Sequence, residues 1–156
     1  MDQTRRNVLK ASGGASLYTL LTAAGMLRPD AALAAEWNQK AFEAKNLKDA
    51  FDALGAGSRA DSIGILMTAP EIAENGAVVP ISAVSKLPGT ESIAILIARN
   101  PTSLAASFDI PVGTEPAVST RVKMAETSEV YVLVKAQGKY YTTKKEIKVT
   151  IGGCGG

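Results

Sequence analysis

Histidine is absent from the 156 residues. Without an imidazole there is no Ser-His-Asp or Cys-His nucleophile pair and no His-ligated metal site. Cysteine occurs once, at Cys154. One thiol closes no intrachain disulfide. It also holds neither zinc nor an iron–sulfur cluster, whose sites take three or four protein ligands. Aromatics are scarce at 5%, which argues against an aromatic-lined pocket. A long hydrophobic run is lacking too. The uncharged stretch 11–27 falls short of the roughly 20 strongly apolar residues that cross a bilayer, and Gly13, Gly14 and Gly25 dilute it. What remains is ordinary for a folded chain: 46% apolar, 21% charged and 14 glycines. That profile suits one small β-rich domain with a processing segment.

Residues 1–34 read as that segment. Thr4-Arg5-Arg6-Asn7-Val8-Leu9-Lys10 has the form of a twin-arginine export signal, with Val8 where Phe or Leu is more usual. The weakly apolar stretch follows, and Ala32-Leu33-Ala34 supplies the small-x-small site of a signal peptidase. The order of these three parts favours a signal over a membrane anchor or a buried helix. Cleavage is placed after Ala34, leaving 122 residues. The leader holds four of the 17 basic residues and two of the 15 acidic ones, so 13 of each remain and the mature chain is neutral. No basic stripe is left for nucleic acid or an anionic membrane surface, and a neutral surface suits an obligate partner.

The mature chain reads as one helix and then short strands. From Glu36 to Leu54 the apolar residues Phe42, Leu47, Ala50, Phe51 and Leu54 recur at helical steps, with Gly55 and Gly57 as the stop. This gives a helical segment over 35–57. From 58 to 151 the period changes to two. Ile63, Ile65 and Met67 alternate, and Glu74-Asn75-Gly76 signals a turn. Residues 77–82 form a strand that Pro80 confines to an edge or a bulge. Further strands are predicted over 92–99, 106–110, 117–124, 129–136 and 140–151, with a tight hairpin at Gln137-Gly138-Lys139. In the last strand Ile147, Val149 and Ile151 share a face. About seven short strands with turns between them predict a mainly β fold, an immunoglobulin-like antiparallel β-sandwich with an N-terminal helix. The usual cross-sheet disulfide is excluded by the single cysteine, and Trp37 lies before the strands.

The segment 152–156 reads Gly152-Gly153-Cys154-Gly155-Gly156. Four glycines around one thiol predict a thin, flexible C-terminal arm. Three extended residues beyond Ile151 reach roughly 10 Å, enough to carry the thiol into a narrow cleft. The nearest basic residue in sequence is Lys148, so nothing beside the thiol favours its thiolate. The pattern is that of a carried handle, activated by the enzymes that receive it, rather than a catalytic nucleophile.

The Gly152–Gly156 pentapeptide, with Lys145-Glu146-Ile147-Lys148-Val149-Thr150 before it, resembles the SoxY family, sulfur carriers of the periplasmic thiosulfate-oxidising Sox system. The stretch from Ala69 to Pro80, Asn100-Pro101 and Thr120-Arg121-Val122-Lys123-Met124 are similar to that family as well. The resemblance implies a non-enzymatic subunit located in the periplasm and paired with SoxZ, a second β-sandwich, as a heterodimer. It implies covalent attachment of sulfur intermediates at Cys154, with no cofactor of the subunit's own. SoxAX, a haem enzyme, would join thiosulfate to the thiol. SoxB, a dimanganese hydrolase, would release sulfate. The sulfane dehydrogenase SoxCD, a molybdenum–haem enzyme, would oxidise the remaining sulfur where it is present.

Three other readings compete. A ubiquitin-like carrier uses a terminal thiocarboxylate made by adenylation in the cytoplasm, which does not fit an exported chain. An adhesion module leaves Cys154 without a role. A lone thiol oxidoreductase lacks a resolving cysteine. Prenylation is excluded by the position of Cys154. The lysines of Lys144-Lys145-Glu146-Ile147-Lys148 fit either attraction of an anionic adduct or a solvated strand face. Val78, Val79 and Ile81 fit either a subunit interface or the core.

Overall fold

The computed structural model describes residues 38–151. The leader with Arg5 and Arg6, Trp37 and the segment 152–156 lie outside the described residues.

Two short helices, α1 (Gln39–Glu43) and α2 (Leu47–Ala53), stand where a single helix is predicted. The break has a local cause. Ala44 is extended, with ψ at 123°, and its carbonyl accepts from the Ser103 N–H at 2.9 Å. Asn46 then starts a new helix, its side chain accepting from the Asp49 N–H at 2.9 Å. That is an N-cap, which apolar spacing alone does not register. Gly55 ends α2 as expected. At φ +76° it sits in the left-handed region. The Ala56 and Gly55 N–H groups return to the carbonyls of Phe51 and Asp52, closing a Schellman turn.

Among the described residues nine strands follow: β1 (Ala60–Asp61), β2 (Ile65–Thr68), β3 (Ile72–Ala73), β4 (Val79–Ser85), β5 (Thr90–Ile97), β6 (Leu104–Asp109), β7 (Ala117–Val122), β8 (Ser128–Ala136) and β9 (Lys139–Val149). One sheet has the order β1-β9-β8-β5-β6, with β3 also on β9; the other is β2-β4-β7. The two-residue strands β1 and β3 run parallel to β9, and the remaining pairs are antiparallel. The sheets pack face to face as the immunoglobulin-like sandwich.

Strand alternation shows why. Ile93, Ile95 and Ile97 of β5 and Val130, Val132 and Val134 of β8 point inward, clustering with Val79, Ile81 and Ala83 of β4. Their neighbours Ala94, Leu96 and Leu133 point the other way and pack on Ala41, Ala50 and Phe51 of the helices. The helices thus cover a face that a plain sandwich leaves wet. That is why 92–99 reads as a continuous apolar run instead of an alternating one.

Several local expectations are corrected. Ile63 is fully exposed and precedes β2, which begins at Ile65. Pro80 lies in the middle strand of its sheet, not in an edge strand. It is tolerated there because β2 pairs with β4 only between Ser82 and Ser85, so Pro80 has a strand neighbour, Arg121, on one side alone. The apolar face of β9 does not reach Ile151. Ile147 is fully buried, Val149 is half-buried, and Ile151 is exposed beyond the strand's end. The hairpin at Gln137-Gly138 is as predicted. Both residues have positive φ, 51° and 71°, as a two-residue turn between Ala136 and Lys139 requires. Val79 and Ile81 belong to the core, whereas Val78 is exposed.

Candidate functional site

Cys154 stands three residues after Ile151, the last described residue. Gly152, Gly153, Gly155 and Gly156 lie with it outside the described residues. The described part of the site is the root from which this segment leaves the sandwich.

The root is held by backbone bonds from the chain before β4. β3 lies parallel to the end of β9, with Ile72 opposite Lys148 and Ala73 opposite Val149. The Lys148 N–H donates to the Glu71 carbonyl at 2.9 Å and the Thr150 N–H to the Ala73 carbonyl at 3.1 Å. The Thr150 hydroxyl donates to the Glu74 carbonyl at 2.9 Å. The Gly76 N–H then reaches the Ile151 carbonyl at 2.8 Å. Support therefore continues to the last described residue.

From the other side, the Val149 N–H donates to the Thr127 hydroxyl oxygen at 2.9 Å. The buried Gly76 carbonyl accepts from the Met124 N–H at 2.7 Å. Asn100 braces that second segment, its amide donating to the Lys123 carbonyl at 2.7 Å and accepting from the Ala125 N–H at 3.0 Å. The Asn75 side chain accepts from the Ala77 N–H at 2.8 Å and shapes the turn predicted at Asn75-Gly76. Stretches far apart in sequence, 69–80, 100–101, 120–124 and 145–150, thus converge by hydrogen bonding on one end of the sandwich. Thr127 and the β3–β9 pairing carry no sequence signal. A two-residue strand shows no period, and a single threonine marks nothing.

The three lysines near this strand have different situations. Lys144 donates to the Glu129 carboxylate at 2.7 Å, and that bond raises its pKa. Glu129 is in turn held below the usual carboxylate range by Lys144 and by the Tyr131 hydroxyl. Burial pushes the Tyr131 phenol up. Lys145 donates to the Ala69 carbonyl at 2.9 Å. Lys148, opposite Ile72, is exposed and takes no part in the ion pairs among the described residues. Of the three, only Lys148 is left to meet an anion at the root. The others serve structural bonds, closer to the solvated-face reading of the segment.

Three open clefts of about 530, 560 and 320 Å³ lie along 138–144, before the root begins at Lys148. Among the described residues, no group of His, Cys, Asp or Glu is arranged to hold a metal ion. The root therefore offers a fixed departure point with an exposed surface around it, and its chemistry depends on the segment that follows Ile151.

Comparison with known proteins gives the following. The family model described as sulfur oxidation protein SoxY matches residues 51–154. Among curated proteins, none matches the chain. The structure of the sulfur carrier protein SoxY from Chlorobium limicola f thiosulfatophilum is 41% identical, with a TM-score of 0.63, covering 72% of this chain and 99% of its own. A chain from a structural study of T cell activation by the bacterial superantigen toxic shock syndrome toxin-1 is 12% identical, with a TM-score of 0.39, over 55% of this chain and 99% of its own. A likeness that low bears on neither fold nor function.

Proposed function

The chain belongs to the SoxY family of sulfur oxidation proteins, and we propose that it is a periplasmic carrier holding sulfur intermediates covalently on Cys154 and presenting them to the enzymes of thiosulfate oxidation. The observation that carries this reading is the extent of the family match, which runs from Phe51 through Cys154 itself. The root geometry supports it. The strand end is anchored as far as Ile151, and Cys154 follows it in sequence after two glycines.

In this reading the thiol is loaded oxidatively. Cys154 Sγ forms a disulfide bond to the sulfane sulfur of thiosulfate. Two electrons pass to a haem enzyme of the SoxAX type, and the thiol proton goes to water. Hydrolysis by an enzyme of the SoxB type then adds a water oxygen to the outer sulfur. The bond between that sulfur and the sulfane sulfur breaks, sulfate leaves, and the electron pair stays with the persulfide on Cys154. Where the host has one, a sulfane dehydrogenase of the SoxCD type takes six electrons from the retained sulfur as three water oxygens are added to it, and a further hydrolysis releases it as sulfate and restores the Cys154 thiol. A SoxZ-type subunit completes the heterodimer, and Arg5-Arg6 directs export by the twin-arginine route.

The chain supplies the handle and its reach, while partner enzymes supply oxidant and hydrolytic chemistry. Intact-mass spectrometry of the protein from thiosulfate-grown cells tests this directly. Reductant-sensitive additions of sulfur, sulfonate or thiosulfonate on the peptide containing Cys154 are expected. A bare peptide from cells actively consuming thiosulfate contradicts the reading.

Glycine at 152, 153, 155 and 156 is proposed to give clearance in a narrow channel, because a Cβ branch widens the chain and restricts its backbone. Gly153→Val is therefore expected to slow both loading and release in a reconstituted thiosulfate assay, with an unchanged melting temperature. Equal turnover by the two proteins removes this role from Gly153.

A further inference from the structure

Resting on the reading of Cys154 as the attachment site, we propose that Ile72, Val78 and Ile151 form a docking patch on which an enzyme acting on the thiol seats. These side chains are 57%, 53% and 68% exposed, three of the six large apolar residues that stand exposed among the described residues. They gather at the root. Ile72 lies opposite Lys148, which places its Cα roughly 11 Å from that of Ile151 at ordinary strand spacings. Val78 follows two residues after Gly76, whose N–H is bonded to the Ile151 carbonyl. The bonds that anchor the root therefore also fix the patch.

The length of the tether names the occupant. Cys154 is three residues past Ile151, and three residues span at most about 10 Å. A catalytic centre that takes the thiol must come within that distance, plus one side chain, of Ile151. The body carrying that centre then closes over the surface around the root. Exposed apolar side chains at that place gain by being covered. Glu71, Glu74 and Lys148 are exposed at its margin, giving the apolar centre and polar rim of a protein–protein contact. The partner that fits is an enzyme with its catalytic centre at the floor of a short channel and apolar side chains around the mouth.

The test uses the carrier complex with its second subunit, loaded at Cys154 with the thiosulfate adduct and presented to a purified hydrolase while sulfate release is followed. The triple substitution Ile72→Ser, Val78→Ser, Ile151→Ser is expected to raise KM at least about tenfold with kcat unchanged. Alkylation of unloaded Cys154 by a small thiol reagent, and co-purification with the second subunit, are expected to match wild type. Val112→Ser, before the opposite end of β7, is expected to leave KM unchanged. An unchanged KM in the folded triple variant overturns the proposal. So does loss of the second subunit, which assigns the patch to the subunit contact instead. Should the triple variant melt early, the three single variants are assayed, and no rise in KM in any of them overturns the proposal. Failure of the carrier reading looks different: wild-type protein then forms no adduct on Cys154.

Discussion

A Cys154→Ser chain gains no sulfur adduct and supports no thiosulfate-dependent turnover, while melting at the wild-type temperature. The expected loss is complete because no second thiol exists to take over. A serine hydroxyl does not substitute. The proposed loading step forms a sulfur–sulfur bond, and a hydroxyl at neutral pH offers neither the sulfur nor an appreciable anion, whereas a thiol is partly ionised. The fold is expected to be indifferent, since the buried side chains among the described residues form extensive core clusters on their own. Intact mass after incubation with thiosulfate and the loading enzyme reads the first outcome, and a thermal melt reads the second. A serine variant that still carries sulfur sinks the attachment site and returns attention to a terminal thiocarboxylate. A variant that unfolds shows instead that the cysteine has a structural part.

Much of this arrangement is legible in the sequence wherever one physical signal dominates. Gln137-Gly138 and Gly55 announce their turns because few residues accept positive φ. The strands over 92–99 and 129–136 are legible because their inner face is apolar throughout. Failure comes where two signals compete or where the unit is too short. Leu47, Phe51 and Leu54 keep helical steps of four and three, but the step from Phe42 to Leu47 is five, so the spacing slips only once at the break that a cap at Asn46 and a bond from Ser103 impose, too little to separate two helices from one. Pro80 argues for an edge strand, yet the sheet accommodates it by ending β2 early. Most instructive is the root. Asn75-Gly76 is visible as a turn, and Asn100-Pro101 as a strand break. That both end up bracing the departure of the thiol segment, one through Ile151 and the other through Lys123 and Ala125, follows from long-range pairing that no local pattern encodes.

Phe51→Ala is expected to have the largest effect on stability. Phe51 is 1% exposed and central to the cluster that joins the helices to the six-stranded sheet, with Leu96 of β5 and Leu133 of β8. Its ring meets Tyr131 edge-on, with centroids 5.9 Å apart and planes at 81°. The Arg59 guanidinium lies 3.7 Å from the ring centroid on a face. Truncation to Ala removes the aromatic contacts and leaves a cavity that the short helices and the sheet fill only in part, a loss of about 3–5 kcal/mol. The melting temperature falls by roughly 10–20 °C for a domain of this size. The form of the transition matters as much as its midpoint. Because Phe51 packs on strands in the middle of the sheet, helix and strand signals in circular dichroism are expected to be lost together, in one cooperative step. Early loss of the helix signal with an unmoved strand transition makes the helices an appendage and refutes the shared core. At temperatures where the variant is folded, adduct formation on Cys154 is expected to proceed at the wild-type rate. The bonds that hold the root come from Glu71, Ala73, Glu74, Gly76 and Thr127, and none of them passes through Phe51.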